Sequence, residues 1–145
     1  EFDELAVHFN RLLDDNQKVK TIAALALMVP RAIEAAERLA RHGVSAEVID
    51  LRTLVPLDTR TILDSVAKTG RFITVEENPR LCGWGAEVVS IVGEEAFWDL
   101  DGPCIRITTP HIPLPASDTL EDLALPSVDR ITDTALRALD AGPGP

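Results

Sequence analysis

The stretch TIAALALMVPRAIEAAERLARHGVSAEVID, residues 21–50, decides the fold. It opens with a continuous apolar run over 21–29, the pattern of a strand buried on both faces of a parallel sheet. Pro30 suits a first helical turn. Ile33, Ala36, Leu39 and Ala40 share one helical face, and His42 with Gly43 supplies a cationic last turn and a left-handed C-cap. Residues 46–50 then read as a second strand. Strand, helix and strand in so short a span form the crossover unit from which parallel sheets are built.

The unit repeats downstream. Asp58 is placed to cap a helix carrying Ile62, Leu63 and Val66, which Gly70 stops before a third strand over 71–75. After a turn-rich stretch over 78–85, the residues Ala86, Val88, Val89, Val92 and Phe97 predict another helix, and 104–108 a fourth strand. Pro110, Pro113 and Pro115 predict an extended, unpaired crossing. A last helix follows over about 126–139 on the stripe Val128, Ile131, Ala135 and Leu139. The expected fold is a three-layer α/β domain with a mostly parallel sheet of about five strands and helices on both faces. The predicted organisation is an N-terminal amphipathic helix and linker over 1–20, the domain over 21–140, and a disordered tail over 141–145. The helix carries Phe2, Leu5, Phe9 and Leu12 at helical spacing. The Glu1-Phe2 start, without Met, suggests a trimmed product or a fragment.

Composition narrows the function. The chain has 145 residues, 46% hydrophobic, and its 14 basic against 24 acidic residues give a formal charge of -10. Such a surface repels phosphate backbones and anionic headgroups, so neither nucleic acid nor a membrane is an expected partner. No apolar run approaches a membrane span, and a soluble protein inside the cell is expected. Cys82 and Cys104 have no companion ligands at metal-binding spacing and read as two buried thiols, with no metal site.

In a doubly wound sheet, ligands gather beyond the carboxyl ends of the strands, which directs attention to the loops near Met28, Arg52, Glu76 and Thr109. Glu76 and Glu77 form a carboxylate pair suited to acid–base work if burial separates their pKa values. Alternatively one pairs with Arg80 or caps the helix after Gly85 while the other stays solvated. His111, in the proline-rich loop, either donates to a ligand or satisfies loop carbonyls. Gly83 and Gly85 flank Trp84 before a helix, so the backbone either offers N–H groups to an anion or makes a tight turn that sets Trp84 at an interface. Arg52 either pairs with Asp50 or bridges to a neighbouring chain.

The string DLRTLVPLD at 50–58 resembles the C-terminal domain shared by transketolase-like enzymes, and specifically that of the E1 β subunits of thiamine-dependent 2-oxoacid dehydrogenases acting on pyruvate, branched-chain oxoacids or acetoin. The resemblance continues in order through VEE at 75–77, Pro79-Arg80, GWGAE at 83–87, Ala96-Phe97, Leu100-Asp101, Pro103, RIT at 106–108 and LPSVDRI at 125–131. Three positions depart from the family pattern. Ala26-Leu27 stands where a Gly-Ser turn is usual, Leu81-Cys82-Gly83 where Thr-Gly-Gly is usual, and His111 replaces a common Asp.

The resemblance implies that the domain supports an α2β2 assembly, contacting the E1 α subunit and a second β subunit and receiving the subunit-binding domain of lipoyl-E2. It implies Asp101 as the residue meeting a basic E2 side chain, against the plainer reading of an exposed loop carboxylate, with Arg52 and Trp84 as further contacts. Thiamine diphosphate with magnesium is implied for the complete enzyme, in the cytoplasm or, in a eukaryote, the mitochondrial matrix. Neither cofactor-binding nor catalytic residues are expected in this domain itself. A free-standing dimerisation or regulatory module of the same fold, or a domain of another transketolase-like enzyme, is the competing reading.

Overall fold

The computed structural model describes residues 19–140. The expected helix over 2–13 and the tail over 141–145 lie outside them. Four strands, β1 (Val19–Ala24), β2 (Ser45–Asp50), β3 (Phe72–Pro79) and β4 (Ile105–Thr109), form one parallel sheet in the order β2-β1-β3-β4, close to the expected strand number. Helices α1 (Met28–Arg41) and α5 (Val128–Asp140) cover one face, and α2 (Thr59–Thr69) and α3 (Trp84–Glu95) the other.

Each layer follows from alternation along the strands. Ile22 and Ala24 of β1 enter the core under α1 and α5 with Met28, Leu39, Val48, Ile73, Val75, Ile107 and Ile131. Ala23, Ile49, Phe72, Ile62, Val66, Val88 and Val92 fill the opposite layer. Thr21 faces α2 and exchanges hydrogen bonds with Ser65 at 2.6 Å and Thr69 at 2.7 Å, which satisfies its hydroxyl inside the core. Lys20 is fully buried, and its ammonium donates to the carbonyl of Ala135, tying β1 to α5.

The local signals behave as their chemistry requires. Asp58 accepts from the N–H of Thr61 at 3.1 Å and caps α2, and Gly70 ends it at φ 64. Gly43, at φ 74, follows α1. Ser127 accepts from the N–H of Arg130 and starts α5.

Four expectations need correction. The apolar run over 21–29 is not one strand: β1 ends at Ala24 and α1 begins at Met28, before Pro30, because the turn between them is also apolar and hides the change of period. Phe97 lies beyond α3 in a 3-10 turn, Phe97–Asp99, and is exposed. The proline-rich crossing contains a helix, α4 (Asp118–Ala124), which buries none of its residues. Cys82 is exposed and Cys104 only part-buried, so they are not two buried thiols.

Ala26 (φ 51) and Cys82 (φ 58) hold left-handed conformations in the turns after β1 and β3. At both positions the resemblance described above implies glycine. A side chain in this left-handed geometry costs about 1–2 kcal/mol at each. Because glycine returns part of this as unfolded-state entropy, Ala26→Gly and Cys82→Gly should each stabilise the chain by about 1 kcal/mol. Urea midpoints of the two variants check this; unchanged midpoints would contradict it.

Candidate functional site

The order β2-β1-β3-β4 places the topological switch point at the carboxyl ends of β1 and β3. A groove of about 350 Å3 opens there, lined by Leu25 and Ala26 after β1, Glu77, Asn78 and Pro79 of β3, Trp84 at the start of α3, and Leu114. Around this edge Leu27, Leu54, Val55, Leu81, Ile112 and Leu114 are exposed, an unusual concentration of large apolar side chains on so acidic a chain.

The polar groups of the edge are already engaged. Glu76 is fully buried, and Arg106 of β4 grips it with two hydrogen bonds, Nε to Oε1 at 2.9 Å and Nη2 to Oε2 at 3.1 Å. Asn78 donates to the same carboxylate at 3.0 Å, Thr74 at 3.2 Å and the N–H of Gly85 at 2.9 Å. The N-terminus of α3, read from Gly83 and Gly85 as a possible anion site, therefore holds an anion from its own chain. Both glycines are steric necessities. A Cβ at Gly85 would collide with the Glu76 carboxylate and the Thr74 hydroxyl, and one at Gly83 with Glu76, Asn78 and Arg106.

Burial alone would raise the pKa of Glu76, but hydrogen bonds from Arg106, then Asn78 and the Gly85 N–H, outweigh it and hold the carboxyl below its ordinary value. A carboxylate so held is ionised at neutral pH, with its lone pairs spent on donors. Glu77 accepts from the N–H of Leu27 at 2.9 Å and closes the β1 turn against β3. Glu76 thus caps α3 and pairs with Arg106, while Glu77 is part-buried and hydrogen-bonded, in place of the solvated carboxylate expected from sequence.

The remaining candidate residues divide between two ends of the sheet. Trp84 and Glu77 line the groove, whereas Arg80 and His111 are exposed in neighbouring loops. Trp84 is half-buried, packed against the core layer under α2 and α3. Arg52 turns back on Asp50, with N–H to Oδ1 at 3.1 Å and Nε to Oδ2 at 3.3 Å. Asp101 is at the opposite, amino edge. Its N–H donates to the carbonyl of Gly70 at 2.8 Å, and its carboxylate lies over that glycine, exposed.

A magnesium-chelated diphosphate needs several oxygen ligands around the metal and free N–H or cationic donors around the phosphates. Among the described residues no group of three His, Cys, Asp or Glu could hold a metal, the N-terminus of α3 at the groove is taken by Glu76, and the Leu27 N–H at the start of α1 by Glu77. These residues do not fit such a group. Burial pushes the Cys104 thiol up, away from the thiolate a nucleophile would need. The chemistry of the edge is that of an apolar surface braced from beneath by an ion pair, suited to contact with another chain.

Sequence regions missed by periodicity add to this surface. In α4, Leu120 is 54% and Leu123 78% exposed, and the helix is tethered to α1 by the ion pair of Asp122 with Arg31. The signal was present as two leucines three residues apart between acidic residues, but a helix with no buried face has no core to register against.

The family described as Transketolase, C-terminal domain, matches residues 11–131. The chain is 42% identical over 135 residues to the pyruvate dehydrogenase E1 component subunit beta of Leifsonia xyli, covering 93% of this chain and 40% of that protein. It is 42% identical over 122 residues to the acetoin:2,6-dichlorophenolindophenol oxidoreductase subunit beta of Cupriavidus necator (84% and 36%), and 47% over 118 residues to a mitochondrial pyruvate dehydrogenase E1 subunit beta of Oryza sativa (81% and 31%). Among solved structures, a chain described as split gene transketolase, inactive beta4 tetramer, superposes with a TM-score of 0.71 at 27% identity, covering 88% of this chain and 40% of that one. The chain thus spans 40% or less of the length of these relatives.

Glu76→Gln should destabilise the fold by about 3 kcal/mol, since it leaves the Arg106 guanidinium without its counter-charge in a nearly dry site. The depressed folded pKa means that the pair's contribution is fully present above the unfolded value of about 4.3 and is lost as pH falls through the folded one. Stability measured by urea denaturation from pH 7 down to pH 3 should therefore fall more steeply for the unchanged chain than for Glu76→Gln. Parallel profiles would show that Glu76 is not the titrating group.

Proposed function

The chain belongs to the transketolase C-terminal domain family, and from that membership we propose that it serves as the C-terminal domain of a 2-oxoacid dehydrogenase E1 β subunit. The observation that carries this reading is identity of 42–47% with E1 β subunits of pyruvate and acetoin enzymes over 81–93% of this chain. In this role the domain makes no bonds to substrate. It supports assembly with an E1 α subunit and a second β subunit, and it receives the subunit-binding domain of lipoyl-E2.

The apolar edge around Leu27, Leu81, Ile112, Leu114, Leu120 and Leu123 suits subunit contact, because large apolar side chains gathered on a surface favour cover by another chain. Thiamine diphosphate and magnesium are assigned to the parts of the complete enzyme beyond this domain, consistent with the lack of fit above. Arg52, Trp84 and Asp101 are assigned to partner contacts, Asp101 to a basic side chain of E2. Among the described residues no helix is long and apolar enough to cross a membrane; the proposed location is the cytoplasm, or the mitochondrial matrix in a eukaryote.

A second reading is favoured by the structural neighbour, whose description is of a β4 tetramer that is inactive. In that reading this domain self-associates through the apolar edge and catalyses nothing.

Two outcomes are expected. An antibody raised against this chain should detect, in extracts of its source, a species more than twice as heavy, since the chain covers 40% of a relative; a species of this size would favour the self-associating module. Calorimetric titration of the isolated chain with thiamine diphosphate and magnesium should give no saturable heat, and a saturable isotherm would overturn the assignment of the cofactor to other domains.

A further inference from the structure

A second exposed apolar surface lies at the amino edge of the sheet, away from the groove described above. Trp98 is 93% exposed and Phe97 57%, their rings edge-to-face with centroids 5.1 Å apart. With Val89, Leu100 and Cys104 they border an open groove of about 570 Å3. The 3-10 turn that carries the two rings buries neither, so apolar surface stands in water beside a cleft able to shelter it.

The residues that lead into the domain do so at the same edge. The strands are parallel, so β1 begins at Val19 on the side where β4 begins, just after Cys104. Two backbone hydrogen bonds join these points through neighbouring residues: the Thr21 N–H donates to the carbonyl of Arg71, and the Asp101 N–H to that of Gly70, each at 2.8 Å. In the order β2-β1-β3-β4, β1 and β4 stand two strand spacings apart, about 10 Å. Residues 14–18, DDNQK, reach up to about 17 Å when extended, enough to carry the residues before them to the groove. Those residues, 2–13, hold Phe2, Leu5, Phe9 and Leu12 at helical spacing, an apolar stripe of the kind that lies in a groove.

Charge bears on who fills it. Glu94, Glu95, Asp99 and Asp101 are exposed around the rings, and a second copy meeting this surface face to face would bring four carboxylates against four. Residues 1–18 are acidic too, with Glu1, Asp3, Glu4, Asp14 and Asp15 against Arg11 and Lys18. A short tether offsets that repulsion. It holds the segment at an effective concentration of order 1 mM, where a contact of about 100 μM affinity is closed roughly ten to one. Helical spacing also sets Asp3 and Glu4 off the apolar stripe.

We propose that residues 2–13 of this chain lay their apolar stripe in the Phe97–Trp98 groove, an intramolecular cover over the amino edge. The contact is apolar within a like-charged surround, so salt, which screens the carboxylates, tightens it. It goes beyond the assembly role proposed above and does not depend on it.

The test reads access to the groove in the full chain. In a Cys82→Ser background Cys104 is the one thiol left, and its rate of alkylation by a neutral maleimide is compared with and without the pair Leu5→Ser and Phe9→Ser. The double substitution should speed alkylation roughly tenfold. It should also make Trp98 several-fold more quenchable by acrylamide, with a Trp98→Phe chain identifying that residue's share of the emission. Salt should slow alkylation of the chain with its segment intact, relative to the double variant. Equal rates in the two chains would overturn the cover, as would a relative rate that rises with salt. Circular dichroism checks that the double variant folds. Trp98 in the unchanged segment's chain decides even without that variant, since quenching equal to that of N-acetyltryptophanamide would overturn the cover. Protection that vanishes on dilution, with sedimentation showing a dimer, would put a second copy in the groove and refute the intramolecular contact.

Discussion

One buried carboxylate, Glu76, sets the geometry of the carboxyl edge. It joins β3 to β4 through Arg106 and both to the start of α3 through the N–H of Gly85. The β3–β4 pairing slips between Val75 and Pro79, where the chain must turn Glu76 inward and still deliver Asn78 to the same carboxylate. Helix α3 has no side-chain N-cap of the ordinary kind, Gly83 having none to offer, so the strand supplies one from nine residues upstream. Remove the carboxylate and three things fail together: the helix start loses its acceptor, Arg106 is stranded, and the two glycines enclose a space that nothing fills.

That dependence explains what the sequence made legible. Caps and stops were readable because they are local: Asp58 needs only Thr61, and Gly70 only its own φ. The layered α/β architecture was readable because strand and helix alternate with the lengths that crossovers require. The end of β1 was not, since Leu25 and Met28 on either side of the turn are as apolar as the strand itself and periodicity has nothing to count. The partner of Glu76 was not, because Arg106 lies thirty residues downstream and becomes a neighbour only once β3 and β4 pair. A signal did exist in the two glycines around Trp84, which mark a place where something approaches the backbone closely. Sequence could not tell whether that something was a ligand or the chain's own side chain.

The strained turns at Ala26 and Cys82 carry a related lesson. Both residues hold φ values that glycine adopts at no steric cost and that a side chain strains. Ala26 lines the groove, Cys82 sits just before Gly83 and Arg52 (φ 52) follows β2, so the three strained non-glycine residues lie in turns at the carboxyl edge and none is in the core. Strain tolerated at such a place is held by its surroundings. Glu77 anchors the first turn through Leu27, and the Glu76 cluster pins the residues that follow the second.

Parallel topology separates the two exposed apolar surfaces. Helix α3 begins with Trp84 at the carboxyl edge and runs antiparallel to the strands for twelve residues, about 18 Å, before the chain reaches Phe97 and Trp98 at the amino edge. A partner seated in the first groove cannot also cover the second without wrapping the helix. The surfaces also differ in kind. The carboxyl edge is apolar over a neutralised ion pair, whereas the amino edge sets two rings among exposed carboxylates. The length of α3 thus sets how far apart the two exposed apolar surfaces lie.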